Sequence, residues 1–277
     1  TPDPVTVKRV DKNGTEVTAT YKPTVTKVTP TGTGATSTGP QGVAQTGKPS
    51  FEGGDALVPI DESIDPVFDD GTKTKIIPNQ GTYTISSDGT VTFTPEKQFV
   101  GTPTPVTVKR FDKNGTEVTA TYTPSFTKVT PTSTNAESTG LQGQPQSGKP
   151  TFTPGDQAVP IDLDTPMTFE NGQATKTVQG VGEYKINSDG TITFTPEKQF
   201  VGTPDPVTVK RVDKNGTEVT ATYKPTVTKV TPTGTGNKTS GLQGQVQTGK
   251  VNFTPGHASV PFPAGSTPLF DNGTTVK

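Results

Sequence analysis

The sequence predicts an all-β chain of tandem antiparallel β-sandwiches, each about 100 residues long. Three observations predict this class. The string PVTVKR begins at Pro4, Pro105 and Pro206, a constant interval of 101 residues. Threonine fills 57 of 277 positions beside 31 Gly and 28 Pro, and a β-branched hydroxyl residue mixed with turn formers suits short, half-buried strands and disfavours helix. Apolar residues alternate with hydroxyls in short runs, and no apolar stripe of helical period is visible. The formal net charge is −1, so the high-charge half of the disorder signature is missing although the apolar content is low.

The first element pair is the hairpin from Pro4 to Tyr21. A three-residue loop, Lys12-Asn13-Gly14, with Gly14 left-handed, pairs Asp11 with Thr15, Val7 with Ala19 and Val5 with Tyr21, so the apolar faces of the two strands coincide. A two-residue Asn-Gly turn would set Val5 and Val7 opposite Lys22 and Thr20 and split that face. The same rule at Ser87-Asp88-Gly89 pairs Ile85 with Val91 and Tyr83 with Phe93, and Tyr184, Ile186, Ile192 and Phe194 repeat it. Outward positions such as Thr18, Thr20, Thr84 and Thr92 are hydroxylated, as a sheet with one wet face requires. Pro49-Ser50-Phe51, Ala56 to Ile60, Val67-Phe68 and Lys73 to Ile77 supply further short extended stretches between turn residues. This makes about seven strands per unit and an immunoglobulin-like two-sheet sandwich.

The stretches Thr29–Lys48, Thr130–Lys149 and Thr231–Lys250 are rich in Thr, Gly and Pro and nearly free of apolar residues, and read as connectors. Complete repeats are then expected over 31–131 and 132–232, each with a connector (31–48, 132–149) followed by a sandwich (49–130, 150–231). Residues 1–30 read as the closing hairpin of a preceding repeat and 233–277 as the opening of a following one. Sandwiches on restrained connectors predict an elongated rod. Copies diverge little: Thr1–Gly34 recurs unchanged as Thr203–Gly236. Chemistry needs one site, so what such duplication multiplies is length, surface or valency.

The strings GTYTISSDGTVTFTPEKQFVGTP (81–103) and PVTVKRVDKNGTEVTATY (4–21), with GPQGVAQTGKPSF (39–51), resemble the CshA-type fibril repeats of streptococcal cell-surface adhesins, over essentially the whole chain. The resemblance implies a Gram-positive, secreted, sortase-anchored surface protein. In it many such repeats form a fibrillar stalk, and a separate non-repetitive region carries the adhesive function.

Asp11-Lys12-Asn13-Gly14 resembles the start of a calcium loop but lacks the later oxygen ligands and the closing Glu, and reads as a hairpin turn. The acidic run Asp61, Glu62, Asp65, Asp69, Asp70 could hold a cation, yet the third copy has Pro263-Ala264-Gly265 where the first has Asp61-Glu62-Ser63, a loss that a metal required by every unit would not tolerate. The lone His257 stands where other copies have Asp55 and Asp156, and reads as a solvent-facing loop residue. Two complete repeats without histidine exclude Ser–His–Asp catalysis, and the absence of Cys excludes disulfides and thiol chemistry. No catalytic, cofactor-binding or metal-binding residue is assigned, and no cofactor.

Arg9, Arg110 and Arg211 are the only arginines. The register puts each on the inward face with Val5, Val7 and Tyr21 or their equivalents, which predicts a partly buried guanidinium at the sandwich margin. Asn13, Asn114, Asn215 and Asn272 lie in Asn-Gly-Thr sequons and Asn237 in Asn-Lys-Thr, but Asn-Gly is also what hairpin turns select. Lys8, Lys48 and Lys97 with Glu96 and Asn13 supply the residue types of a Lys–Asn cross-link without pointing to one. The reading is therefore a non-enzymatic structural repeat whose partners are its neighbouring repeats, with no nucleic acid and no membrane insertion. Two rivals remain: a multivalent weak binder of a host protein or partner-cell surface, disfavoured for glycans by the lack of Trp, and a unit that self-associates laterally through strand edges.

Overall fold

The computed structural model describes residues 1–271 and divides into two compact units, Thr1–Lys128 and Val129–Lys277. In the first, β1 (Val5–Val10) and β2 (Glu16–Tyr21) form a hairpin. There follow β3 (Thr31–Thr33), β4 (Ala35–Pro40), β5 (Gln45–Gly47), β6 (Ser50–Glu52), β7 (Val67–Phe68), β8 (Thr74–Ile77), β9 (Gly81–Ile85), β10 (Val91–Pro95), β11 (Val106–Phe111) and β12 (Glu117–Thr127). These build one sheet in the order β5-β10-β9-β8, a second in the order β4-β12-β11-β7, and a small β3-β6 ribbon. The second unit repeats the plan with β13 (Thr132–Thr134), β14 (Ala136–Leu141), β15 (Gln146–Gly148), β16 (Thr151–Thr153), β17 (Thr168–Phe169), β18 (Thr175–Val178), β19 (Gly182–Ile186), β20 (Ile192–Pro196), β21 (Val207–Val212) and β22 (Glu218–Thr228). Its sheets run β15-β20-β19-β18 and β14-β22-β21-β17. A last ribbon pairs β23 (Thr233–Thr235) with β24 (Asn252–Thr254). The fold is all-β, in tandem sandwiches.

The hairpin registers are those the apolar faces require. Val5 pairs with Tyr21 and Val7 with Ala19, and Ile85 with Val91 and Tyr83 with Phe93. The Asp11 amide bonds the Thr15 carbonyl at 3.0 Å. Gly14 stands at φ 83°, a left-handed conformation that a side chain would strain, so glycine closes this loop.

The two sheets of each repeat face each other across an aromatic core. Phe68, Tyr83, Val91, Phe93, Val106, Val108, Tyr122 and Phe126 fill the first, and Phe169, Tyr184, Ile192, Phe194, Val207, Val209, Tyr223 and Val227 the second. In the first core the rings meet edge-on or tilted, Tyr83 lying 4.4 Å from Phe93 and 6.2 Å from Tyr122 between centroids, and in the second Tyr184 stacks on Phe194 at 4.5 Å, arrangements that ring quadrupoles favour when offset. Burial depends on the whole repeat. In the isolated first hairpin Val5, Val7 and Tyr21 are 58, 60 and 67% exposed, whereas their equivalents Val106, Val108 and Tyr122 are fully buried.

The first two stretches read as connectors, Thr29–Lys48 and Thr130–Lys149, are folded over most of their length, a correction to the sequence reading, whereas Thr231–Lys250 carries only the short strand β23 and is exposed. Strand β4 runs parallel to β12 from Ala35↔Tyr122 to Thr127↔Pro40, and β5 pairs with β10. In the second unit β14 and β15 do the same with β22 and β20. Their threonines and serines need no apolar face, because they hold the edges of both sheets by main-chain ladders and hydroxyl bonds. Ser37 Oγ lies 2.7 Å from the Tyr122 hydroxyl and Thr38 Oγ1 2.8 Å from Ser125 Oγ. Gly47 fits because a methyl there would strike the ring of Tyr122. Ala56 to Ile60, expected as a strand, makes only isolated bridges, Asp55↔Val58 and Ile60↔Asp112.

Candidate functional site

The aspartates that open hairpin loops serve the turns. Asp11 Oδ1 accepts the amides of Asn13 and Thr15, each at 2.8 Å. Asp112 and Asp213 repeat the pattern while almost fully buried. This is an Asx cap on a β-turn, set by the Asp-Lys-Asn-Gly order itself.

The acidic run is likewise distributed among separate partners. Asp61 meets Lys113 at 2.6 Å, Glu62 meets Arg110 at 2.6 Å, Asp65 meets Lys73 at 2.5 Å and Asp69 meets Lys75 at 2.6 Å. Asp70 instead accepts the Thr72 amide and hydroxyl. Bonds from Lys113, then from the Ser63 hydroxyl and amide, hold the Asp61 carboxyl down at about 2. Lys214 and Thr165 do the same for Asp162, also at about 2. Among the described residues no three His, Asp or Glu side chains gather as a metal-binding group.

His257 occupies the structural role of the aspartate it replaces. Asp55 and Asp156 accept the amides of Leu57 and Ala158 at 2.9 and 2.8 Å, and His257 Nδ1 accepts that of Ser259 at 3.1 Å. Lys8 pairs with Glu16 at 2.5 Å and Lys48 with Asp88 at 3.3 Å. Of the sequons, Asn13 and Asn114 are exposed in their turns, Asn237 is exposed, Asn215 is buried, and Asn272 lies outside the described residues.

The arginines follow the predicted face. Arg110 is buried, its side chain 8% exposed, and Nη1 donates to Glu62 Oε2 at 2.6 Å. Arg211 is half-buried and reaches the Thr165 carbonyl at 3.5 Å. Arg9, in the isolated hairpin, is exposed. The sequence reading found the face but missed the Glu62 contact, which joins residues 48 apart on different elements. The sandwich margin where this arginine sits also gathers Lys48, Phe51 and the Asp88-Gly89 turn.

In the cores, burial pushes up the tyrosine hydroxyls. Tyr184 is pushed up to about 12 and Tyr83 beyond the ordinary phenol range, in each case by desolvation and then by the neighbouring tyrosine. Tyr122 and Tyr223 are raised by burial and drawn partly back by Ser37 and Ser138. Such groups are neutral packing elements at neutral pH.

Two aromatic-cored β-sandwiches built on one sheet plan define a tandem all-β module. The family described as the surface adhesin CshA repetitive domain matches residues 27–126, 128–227 and 229–277. The chain belongs to that family, whose members are repeats of surface adhesins with an extracellular location. A solution structure of repeat domain 13 of the fibrillar adhesin CshA from Streptococcus gordonii is 74% identical over 25% of this chain and 90% of that one, with a TM-score of 0.16. Cadherin repeats 22–24 of mouse cadherin-23 match at 12% identity, over 82% of this chain and 74% of that one, with a TM-score of 0.33. A 1.5-MDa bacterial ice-binding adhesin matches at 15%, over 82% and 73%, with a TM-score of 0.35. No curated protein matches. Among the described residues no helix is long and apolar enough to cross a membrane.

Proposed function

We propose that these repeats are a non-enzymatic stalk segment of a wall-anchored fibrillar adhesin, holding a separate adhesive region away from the cell. The observation that carries this reading is duplication: each complete repeat rebuilds the same aromatic core on the same sheet plan. A repeat of this kind adds length each time it is copied. The folded repeats are taken as 31–131 and 132–232, with 31–48 and 132–149 as part of each sandwich.

Small-angle scattering on fragments of one, two and four repeats tests the proposal. The maximum dimension is expected to rise by a constant increment per repeat. Growth nearer the square root of repeat number would describe flexible beads and would move the function toward multivalent capture.

A further inference from the structure

The two complete repeats carry corresponding small pockets whose linings differ, most consequentially where Glu62 of the first is Leu163 in the second; Ile161 and Met167 also line the second. In the first repeat the pocket, about 350 Å³, is lined by Lys48, Phe51, Glu62, Asp88, Gly89 and Arg110. In the second, about 250 Å³, the corresponding lining is Lys149, Phe152, Leu163, Asp189, Gly190 and Arg211. The arginine lies against the Asp-Gly turn in both, its Nη2 3.8 Å from a Cβ built on Gly89 and 3.9 Å from one built on Gly190. A lysine stem approaches the same turn, Lys48 Cε at 4.0 Å and Lys149 Cε at 3.9 Å. Thus a planar donor and an ammonium are presented beside a glycine that leaves the turn uncovered.

What differs is the acid. The first repeat supplies Glu62, whose carboxylate meets Arg110 at 2.6 Å from a side chain that is itself 77% exposed. Position 163 of the second repeat is Leu, itself exposed. Arg211 is left with a 3.5 Å bond to the Thr165 carbonyl and forms no ion pair among the described residues, while the charge of Lys149 acts on the Asp189 carboxylate of the neighbouring turn. A half-buried guanidinium that has lost its carboxylate keeps its preference for one, because charge-assisted bonds to a carboxylate are stronger than a neutral contact.

We infer that the Arg211 pocket of the second repeat is a binding site for a glutamate side chain presented on an acidic peptide segment of another protein. In the first repeat Glu62, at the pocket margin, pairs with the corresponding arginine in cis. Peptide is favoured over other carboxylate carriers because the acid paired with the arginine of the sister pocket is a glutamate side chain on a polypeptide turn, Asp61–Ile64, at a margin that Phe51 also lines. The inference is independent of the stalk reading, since a spacer with or without this pocket has the same length.

The chain contains only three arginines, so the side-chain Nε–Hε NMR spectrum of the whole chain holds one signal for each, assigned by single Arg→Lys replacements. The probe is the N-acetylated, C-amidated peptide Pro-Ile-Asp-Glu-Ser, the sequence of residues 59–63. The Arg211 signal is expected to move saturably on titration while that of Arg110 stays still. Leu163→Glu should silence the Arg211 response by supplying an acid in cis, and Glu62→Leu should make Arg110 responsive. Both replacements are at exposed positions and leave the core intact. The inference is overturned if all three arginines move alike, if Arg211 still responds in Leu163→Glu, or if the peptide with Gln in place of Glu works equally well. Equal movement with acetate or with a sialylated trisaccharide would overturn the peptide assignment.

Discussion

Tyr122 and Tyr184 are both fully buried, yet only one has its hydroxyl bonded. Tyr122 shares a 2.7 Å hydrogen bond with Ser37, whereas the Tyr184 hydroxyl is buried without a partner. Deleting a satisfied buried bond costs about 1 kcal/mol, while deleting an unsatisfied polar atom is neutral or favourable. Tyr122→Phe is therefore expected to lower the urea midpoint of the first repeat by the equivalent of about 1 kcal/mol, and Tyr184→Phe to leave that of the second unchanged or raised. A larger loss for Tyr184→Phe would show that its hydroxyl is bonded in solution. None of this was legible in the sequence, where both are the inward tyrosine of a TY or EY pair.

The hairpins were legible in the sequence and the edges were not. At Asp11–Thr15 the register follows from local information, since loop length and apolar alternation admit one pairing that buries both strands. Strand β4 offers no such clue. Its residues Ala35 to Pro40 have no apolar alternation, its partner β12 lies some 87 residues further along, and the pairing is parallel. The signal sat instead in side chains that only the fold brings together, Ser37 with Tyr122 and Thr38 with Ser125. The Arg110 face was predictable from register, but its Glu62 partner lies on a loop whose path no pattern specifies. An element-scale prediction follows. A fragment starting at Pro49 and ending at Pro131 loses an edge strand from each sheet and exposes the flank of Tyr122, whereas one starting at Thr31 keeps both. The longer fragment is expected to show dispersed amide NMR signals and a cooperative melt, and the shorter one neither. Equal melting temperatures would mean that β4 and β5 decorate a sandwich that stands without them.

Both repeats carry the same titrating devices, so the pH response belongs to the whole molecule. Asp61 and Asp162 have folded values of about 2 against an ordinary 3.8. A depressed carboxylate contributes stability that is present above the unfolded value and is lost as pH falls through the folded one. Thermal melts are thus expected to hold their midpoint down to about pH 4 and to decline toward about pH 2. The double replacement Asp61→Asn, Asp162→Asn should flatten that decline, and an unchanged slope would remove these two carboxylates as its cause. On the alkaline side the sign reverses. The core tyrosines resist ionisation when folded, Tyr184 up to about 12, while the unfolded chain ionises near the ordinary 10.0. Stability is then present below about pH 10 and lost as pH rises toward the folded values. A flat melt from neutral pH to about pH 12 would contradict the burial of those hydroxyls.

The parallel pairing of β4 with β12 also sets how a repeat answers tension. The chain enters this ladder at Ala35 and leaves it at Thr127, its opposite ends. A pull on the two termini of the repeat therefore slides one strand along the other and strains every rung at once, where an antiparallel closing pair would unzip rung by rung. The first strand of the sandwich and its last form a mechanical clamp in shear. Single-molecule stretching should show abrupt, well-separated rupture events, one per repeat, that disappear when β4 is deleted. Smooth extension at low force would show that the clamp does not hold.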